Sequence, residues 1–375
     1  MTDDEVESTY TPEIVTDLAA VPPISSVFGR VARGGVTYAT VGMLQKLISL
    51  AAFPIYARAV SPDEYGSLGV LWSMTAVLSV VLAFGLETAI FRSFFALADR
   101  AEERARFLKS VGLFLLVVPN VLAVIVGLAS LPLVSAWGEF PGGLWVLGLL
   151  GASVQVSASV LPLAVLRAEE RLRDYIKLTT AFALTYTGSA LFFVVGLRLG
   201  VTGWVIANLG AATFSLIVSL RIVRIPWGAS FERTLIGGAL AFGLPLLPHA
   251  LSHWVLSMSD RVILSAYVTT ADIGVYTIGY QAGWLLGILV AELHRAVMPE
   301  YGRALKDEAH RPVLTTVVTH QIIVIFVLGL ATALVVPPLI SLALPAVYER
   351  AREVIPWVAL GGMSFGLYLM FKVRY

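Results

Sequence analysis

The sequence predicts an all-α protein that crosses a membrane about ten times. Hydrophobic residues make up 58% of the 375 residues and charged residues only 14%, whereas about a quarter of a soluble domain is charged. The second observation is a succession of apolar stretches of about 20 residues, the length that an α-helix needs to cross a bilayer.

The net charge of +1 argues against nucleic acid as a partner. The absence of cysteine excludes disulfide and thiol chemistry.

The chain before the first apolar stretch has the composition of a polar tail. Its first sixteen residues hold five carboxylates and no lysine or arginine, which is unlike a secretory signal peptide. We therefore expect residues 1–34 to form a largely disordered tail. The predicted spans then cover, in order, residues 36–57, 66–89, 110–134, 143–166, 177–197, 201–221, 236–258, 273–294, 313–342 and 353–371.

The distribution of basic residues predicts the orientation in the membrane. Ten spans place both termini on one side, where twenty lysines and arginines lie, against five on the other side. Because cytoplasmic loops are enriched in Lys and Arg, we expect a cytoplasmic N-terminus. The predicted location is the cytoplasmic (inner) membrane, with membrane lipid as the surrounding partner.

Two short similarities indicate an internal repeat. Residues 60–66 (Val-Ser-Pro-Asp-Glu-Tyr-Gly) resemble residues 268–274 (Val-Thr-Thr-Ala-Asp-Ile-Gly), at an offset of 208. Residues 132–135 similarly match residues 338–341. Six helices separate equivalent points, so the two copies would have a parallel orientation, as in many transporters.

The repeat predicts two lobes of unequal size. The first lobe would contain six helices at residues 35–225, and the second would contain four helices at residues 226–375. The second lobe is therefore two helices short of the first. The interpretation that we favour is a truncated chain; the alternative is a lineage that has lost its last pair of helices.

Lys46 is the sharpest candidate for a functional residue. It lies at the midpoint of the first predicted span, beside Gln45 on a small and polar flank, where a charge is costly unless it faces protein or water. A contact to an anion in a central cavity is one interpretation, and pairing or snorkelling for packing is the other.

No Asp or Glu falls in the middle of a predicted first-lobe span, which favours an anionic cargo over a cationic one.

His249 and His253 lie four residues apart in the seventh predicted span and share a face with Asp260. We expect this polar stripe to line a water-filled cavity, with hydrogen bonding between helices as the alternative. A metal site is disfavoured because no third ligand lies nearby in the sequence. The sequence predicts neither a metal nor another cofactor.

Two pairs of opposite charge lie near the ends of predicted spans. Asp260 and Arg261 are placed near the outer interface, where an ion pair or gate is expected. Glu87 and Arg92 lie at the inner end of the second span. A gating or ion-pairing role is the functional interpretation of the second pair, and a hydrated interfacial cluster is the default.

An aromatic ladder occupies the eighth predicted span. Tyr276, Tyr280 and Trp284 follow at steps of four, with Gln281 beside them. Such ladders usually serve packing, although aromatic rings can also form a surface for sugar rings. Tyr280 and Gln281 are the residues of this span for which we predict contact with a substrate.

The sequence resembles the oligosaccharide and polysaccharide flippases of the multidrug/oligosaccharidyl-lipid/polysaccharide exporter superfamily, from about residue 35 to the end. The family-like stretches are residues 42–47, 59–66, 85–92, 243–248, 259–264 and 273–276. The resemblance implies a V-shaped pair of six-helix lobes that open alternately to either side. It also implies a polyprenyl-diphosphate-linked oligosaccharide as cargo, carried to the outer leaflet for surface polysaccharide synthesis and driven by the membrane potential or an ion gradient.

Several negative features narrow the function further. The predicted outer loops are short and no Walker-type glycine loop occurs, so an enzyme or an ATPase is disfavoured. An ion-coupled exporter of drugs or other small molecules within the same superfamily is one alternative. The other is a membrane scaffold that does not transport and that organises glycan assembly. A polysaccharide polymerase or glycosyltransferases are the candidate protein partners.

Overall fold

The computed structural model describes residues 52–136, 140–306 and 311–372, and within these ranges it contains helices and no strand. Helix accounts for 88% of the structure. The α-helices are α1 (52–59), α2 (Pro62–Leu82), α3 (Leu86–Ala96), α4 (Ala101–Ala129), α5 (Leu131–Ala136), α6 (Gly142–Ala168), α7 (Leu172–Ala190), α8 (Gly200–Ile222), α9 (Arg233–Gly243), α10 (Leu247–Leu264), α11 (Thr270–Gly283), α12 (Leu285–Lys306), α13 (Arg311–Ala343) and α14 (Ile355–Lys372). A π-helical segment, Leu191–Gly196, extends α7, and 3₁₀ turns occupy Leu244–Leu246 and Ala346–Glu353.

Eight helical stretches in the described ranges are long and apolar enough to cross a membrane. A ninth is obtained if the 3₁₀ segment Ala346–Glu353 and α14, which meet at a bend of 42°, count as one span. These nine correspond to the second to tenth predicted spans. The predicted span 36–57 lies outside the described residues except for its end in α1, as do the predicted tail and Lys46. The prediction of an all-α polytopic membrane protein is confirmed.

The second span departs from the predicted range 66–89 because it runs over Pro62–Ala96 and contains a break. Phe84 and Gly85 between α2 and α3 have positive φ angles of 52° and 65°. A Cβ atom at Gly85 would lie only 2.1 Å from the carbonyl oxygen of Gly243. Glycine is therefore required here for a left-handed backbone and for close approach to the α9 main chain.

The turns between helices gather into two groups, one at each face of the bundle. Face A is the end at which α2, α6, α8 and α11 begin, and face B is the opposite end. Salt bridges at face B include Arg167 with Glu87, and Arg106 with Glu232 at 3.4 Å. The sequence prediction that face A is external and face B cytoplasmic stays a prediction.

The repeated segments form equivalent helix N-termini at face A. Ser61 caps α2 by accepting a hydrogen bond from the Glu64 N–H at 3.3 Å. Thr269, at the offset of 208 residues, caps α11 by accepting from the Asp272 N–H at 3.2 Å. The sequence similarity thus reflects the same capping chemistry in both copies.

The two repeats also contact each other through equivalent residues. A Cβ atom at Gly66 of α2 would lie 1.8 Å from the Thr270 carbonyl oxygen, and one at Gly274 of α11 would lie 2.0 Å from the Pro62 carbonyl oxygen. At the offset of 208 residues, Gly66 corresponds to Gly274 and Pro62 to Thr270. Gly66 contacts Thr270, and Gly274 contacts Pro62, so equivalent residues make equivalent contacts. This reciprocal contact places a local two-fold axis at the crossing of α2 and α11, where main chain meets main chain because neither glycine has a side chain.

The largest apolar core joins the predicted lobes at face A. It brings together α1, α2 and α8 with α11, the end of α13 and the 3₁₀ segment, and Tyr65 and Tyr348 are almost fully buried in it. Along α2, Trp254 of α10 donates to the Ser73 carbonyl oxygen at 2.8 Å. Helices α9 and α10, assigned to the second lobe by the sequence, thus pack against the first; the lobe boundaries themselves stay a prediction.

Candidate functional site

A cavity of about 670 Å³ lies between the two lobes. Helices α1, α2, α7 and α8 form one wall, and α10, α11 and the start of α12 form the other. Its size is within the range of sites that bind drug-sized or larger ligands. Twelve aromatic or polar side chains line it, together with Met258 and aliphatic residues: Phe53, Tyr56, Tyr65, Trp72, Phe182, Tyr186, Thr187, Trp204, Arg261, Tyr280, Gln281 and Trp284.

Among the described residues that line this cavity, Arg261 is the one with a positive charge. Its side chain is only 3% exposed. Nη1 donates to Asp260 Oδ1 at 2.9 Å and to the Ser257 carbonyl oxygen at 3.2 Å. Asp260 accepts a further hydrogen bond from the Tyr276 hydroxyl. The guanidinium is therefore held in place by a carboxylate that is itself anchored, which limits its freedom before any ligand binds.

The aromatic ladder of α11 supports this arginine. The guanidinium carbon of Arg261 lies 4.3 Å from the centre of the Tyr280 ring, within the distance of a cation–π interaction. Tyr280 and Trp284 stack with ring centres 5.9 Å apart. The predicted ladder therefore has two functions: it packs along α11 and it presents aromatic faces to the cavity.

The opposite wall is aromatic as well. Trp72 of α2 and Trp204 of α8 stack with ring centres 4.7 Å apart, and Tyr56 meets the edge of Trp204 at 4.9 Å. Tyr56, Trp72 and Trp204 are not among the site residues predicted from the sequence. A weak signal was available, because Tyr65 and Trp72 are seven residues apart and so share a helix face, but nothing in the sequence places Trp204 beside them.

The cavity is closed at face A. The Tyr65 hydroxyl donates to Gln281 Oε1 across the two lobes at 2.9 Å. Tyr348 donates to the Val60 carbonyl oxygen at 2.7 Å, and Arg58 Nη2 donates to the Ala343 carbonyl oxygen at the same distance. Together with the glycine crossing of α2 and α11, these contacts join the two lobes on the face A side of the cavity, and we call them the seal.

Only part of the predicted site lines the cavity. Tyr280, Gln281 and Arg261 lie in its wall, and Asp260 stands behind Arg261. His249 and His253 are exposed and are not among the residues that line it. Their predicted role in substrate binding is untested and stays a prediction. Within the described ranges, no group of three His, Asp or Glu residues is arranged to hold a metal ion.

The second predicted charge pair lies at face B, away from this cavity. Glu87 accepts from Arg167 rather than from Arg92, and the Arg92 guanidinium lies 4.6 Å from the Phe242 ring centre. Both contacts join α3 to neighbouring helices. A gating role for this pair stays a prediction, as does the role of Lys46 and Gln45, which lie outside the described residues.

Comparison with known proteins agrees with this architecture. The pattern of the family described as "Polysaccharide biosynthesis protein" matches residues 55–352. The chain belongs to this family. It is also similar to "Lsg locus putative protein 1" of Haemophilus influenzae, with 23% identity over 288 residues, 74% of this chain and 68% of the relative.

Solved transporter structures have the same fold. An inward-facing multidrug resistance MATE family transporter of the MOP superfamily superposes with a TM-score of 0.68 at 17% identity, covering 90% of this chain and 84% of its own. The bent form of the Vibrio cholerae MATE transporter VcmN gives a TM-score of 0.58 at 17% identity, covering 92% and 82%. The polysaccharide biosynthesis family expected from the sequence is thus confirmed by the match to its pattern, and the expected all-α fold is confirmed by the solved structures.

Proposed function

We propose that this protein is a flippase that carries a polyprenyl-diphosphate-linked oligosaccharide across the cytoplasmic membrane. The observation that carries the proposal is the cavity between the lobes, in which one buried arginine, Arg261, is surrounded by aromatic side chains. Membership of a polysaccharide biosynthesis family, combined with a transporter fold, supports the same conclusion. The N-terminus and face B are cytoplasmic in this proposal, and face A is external.

The diphosphate is bound by Arg261. A guanidinium offers a planar set of donors that matches phosphate oxygens, and among the described residues the hydrogen bonds to Asp260 and to the α10 backbone both use Nη1. Electrostatic attraction is stronger here than in water because the side chain is shielded from solvent. Lys46, predicted in the middle of the first span, is the second cation of the proposal.

The aromatic walls bind the glycan, and the prenyl chain remains in the lipid. Trp72 and Trp204 on one side and Tyr280 and Trp284 on the other provide flat apolar surfaces that suit the carbon–hydrogen faces of sugar rings. The contacts at face A separate when the lobes rock outward, and the glycan is released there. Movement of charge across the membrane is worth about 2.3 kcal/mol per elementary charge per 100 mV, so the potential or an ion gradient can drive the cycle.

The test measures the leaflet distribution of the lipid-linked oligosaccharide in cells that lack the protein, with and without the restored gene. Accumulation on the cytoplasmic leaflet, reversed by the gene, is the expected result. Normal distribution with intact surface glycan would overturn the proposal. Changed drug resistance in the same cells would then point to export of small molecules.

Variants of the buried pair test the assignment of Arg261. Arg261→Gln combined with Asp260→Asn removes the cation without leaving an unpaired buried carboxylate. We expect flipping to fall about 10- to 100-fold, since a hydrogen bond to a charged group contributes about 1.5–3 kcal/mol. Arg233→Gln, an exposed arginine at the start of α9, is the matched control; equal flipping by the double variant and this control would remove Arg261 from the mechanism.

A further inference from the structure

A smaller branch leads from the central cavity into the first lobe. It has a volume of about 180 Å³ and shares Trp72, Tyr186 and Trp204 with the main cavity. Beyond these three aromatic side chains, its lining combines apolar residues with four polar ones that the proposed function does not use: Thr75 and Ser79 of α2, Gln155 of α6 and Asn208 of α8. The three aromatic residues are thus the part of the lining that the branch shares with the main cavity.

Two residues that line this branch each carry a buried polar atom with no hydrogen-bond partner within the described part of the chain. The atoms are Oε1 of Gln155 and Nε1 of Trp204, and Trp204 is 4% exposed. Buried polar groups are normally paired, because removing them from water without a partner is costly. The Gln155 oxygen can only accept a hydrogen bond and the Trp204 nitrogen can only donate one. A ligand that satisfies both must carry a donor and an acceptor.

The remaining lining restricts the ligand further. None of the described residues that line the branch is charged, so a phosphate or a carboxylate would be left there without a counter-charge. Hydroxyl and acetamido groups are neutral and both donate and accept. A Cβ atom at Gly151 would lie 2.6 Å from the Asn208 side-chain oxygen, so the absence of a side chain at Gly151 leaves room for this amide.

We propose that this branch is the subsite for one sugar ring of the cargo, which rests on the proposed function. Gln155 accepts a hydrogen bond from a hydroxyl or acetamido group of that ring, and Trp204 donates one to it. The volume equals that of about six water molecules at roughly 30 Å³ each, which suits a single ring and not an oligosaccharide. The branch therefore recognises one ring, and the rest of the glycan occupies the main cavity beside Arg261.

The test compares two ligands on the purified full chain in lipid nanodiscs. One is a polyprenyl diphosphate that carries a single N-acetylhexosamine, and the other is the same lipid without the sugar. Binding is followed by tryptophan fluorescence, since Trp72 and Trp204 line both spaces. The wild-type protein should bind the sugar-bearing lipid about tenfold more tightly, as one or two added neutral hydrogen bonds allow.

Gln155→Leu removes the acceptor and keeps a side chain of similar size. It should abolish the preference for the sugar-bearing lipid and leave the affinity for the bare lipid diphosphate unchanged. Thr213→Val is the matched control, because Thr213 on α8 is exposed and its hydroxyl donates to the Leu209 carbonyl oxygen of its own helix. This control should bind both ligands as the wild-type protein does.

The possible outcomes separate this inference from the proposed function. Two results refute the subsite while the flippase proposal stands. In the first, both lipids bind and Gln155→Leu retains the preference for the sugar-bearing lipid. In the second, both lipids bind and the wild-type protein shows no such preference, so the branch holds water only. If neither lipid binds to the wild-type protein, the flippase proposal fails and the subsite fails with it. A normal melting temperature of Gln155→Leu shows that a lost preference does not come from unfolding.

Discussion

The crossing of α2 and α11 at Gly66 and Gly274 predicts that a single methyl group will open face A. In Gly274→Ala the new Cβ atom would lie 2.0 Å from the Pro62 carbonyl oxygen, whereas ordinary contacts begin at 3.4 Å. The obstructing atoms are backbone, so they cannot rotate away and the helices must separate by about 1 Å or more. Such overpacking typically costs about 1–3 kcal/mol.

This cost applies mainly to the state in which face A is closed, because the two helices lose contact there when the lobes move apart. A perturbation shifts an equilibrium by the difference between its effects on the two states. Since each 1.4 kcal/mol is a factor of ten, a cost of about 1–3 kcal/mol means that Gly274→Ala should lower the ratio of closed to open molecules about 5- to 140-fold.

Spin labels measure this ratio directly. The chain contains no cysteine, so Arg58→Cys and Ala343→Cys introduce a unique pair across the seal, at positions joined by a hydrogen bond of 2.7 Å. Distance distributions between the two labels in nanodiscs give the populations of closed and open molecules. Gly210→Ala is the control, because a Cβ atom there meets nothing within 4 Å. Equal distributions for Gly274→Ala and Gly210→Ala would refute the reasoning.

Two further predictions follow from the same seal and from the first span. Tyr348→Phe leaves the buried Val60 carbonyl oxygen without its donor, at a cost of about 1–3 kcal/mol, so the spin-label distances should again shift toward the open state; the exposed Tyr368→Phe should leave them unchanged. Lys46→Ala should abolish glycan export while Lys46→Arg largely retains it, because the requirement is a cation in the membrane; normal export by the alanine variant in the leaflet assay would exclude the lysine from transport.

Local patterns in the sequence were sufficient to predict the helices and part of the internal repeat. Hydropathy over about 20 residues reports whether a helix tolerates lipid, and for this reason the second to tenth spans were correctly located. The similarity of residues 60–66 and 268–274 predicted the repeat because each segment caps a helix with Ser61 or Thr269. The break at Phe84 and Gly85 was missed, since hydropathy averages over a window and contains no backbone angle.

The candidate site could be predicted only where its residues share one helix. Tyr280 was selected because steps of four place side chains on one face of a helix, and Gln281 and Arg261 were selected as neighbours of the ladder and of Asp260. The same argument selected His249 and His253, which the structure leaves exposed. Periodicity defines a polar or aromatic face and does not tell whether that face meets the cavity, another helix or the lipid.

Contacts between distant helices required the tertiary structure. Tyr65 and Gln281 lie 216 positions apart and still share a hydrogen bond. The stack of Trp72 on Trp204 and the recess at Gln155 likewise depend on how α2, α6 and α8 pack. Apolar patterns and capping residues belong to single segments, so the sequence by itself determines the spans and their repeat. The cavity, its seal and its polar branch form only when the helices pack together. Each of them is made by side chains that are distant in the sequence, and local patterns do not predict which of these side chains meet.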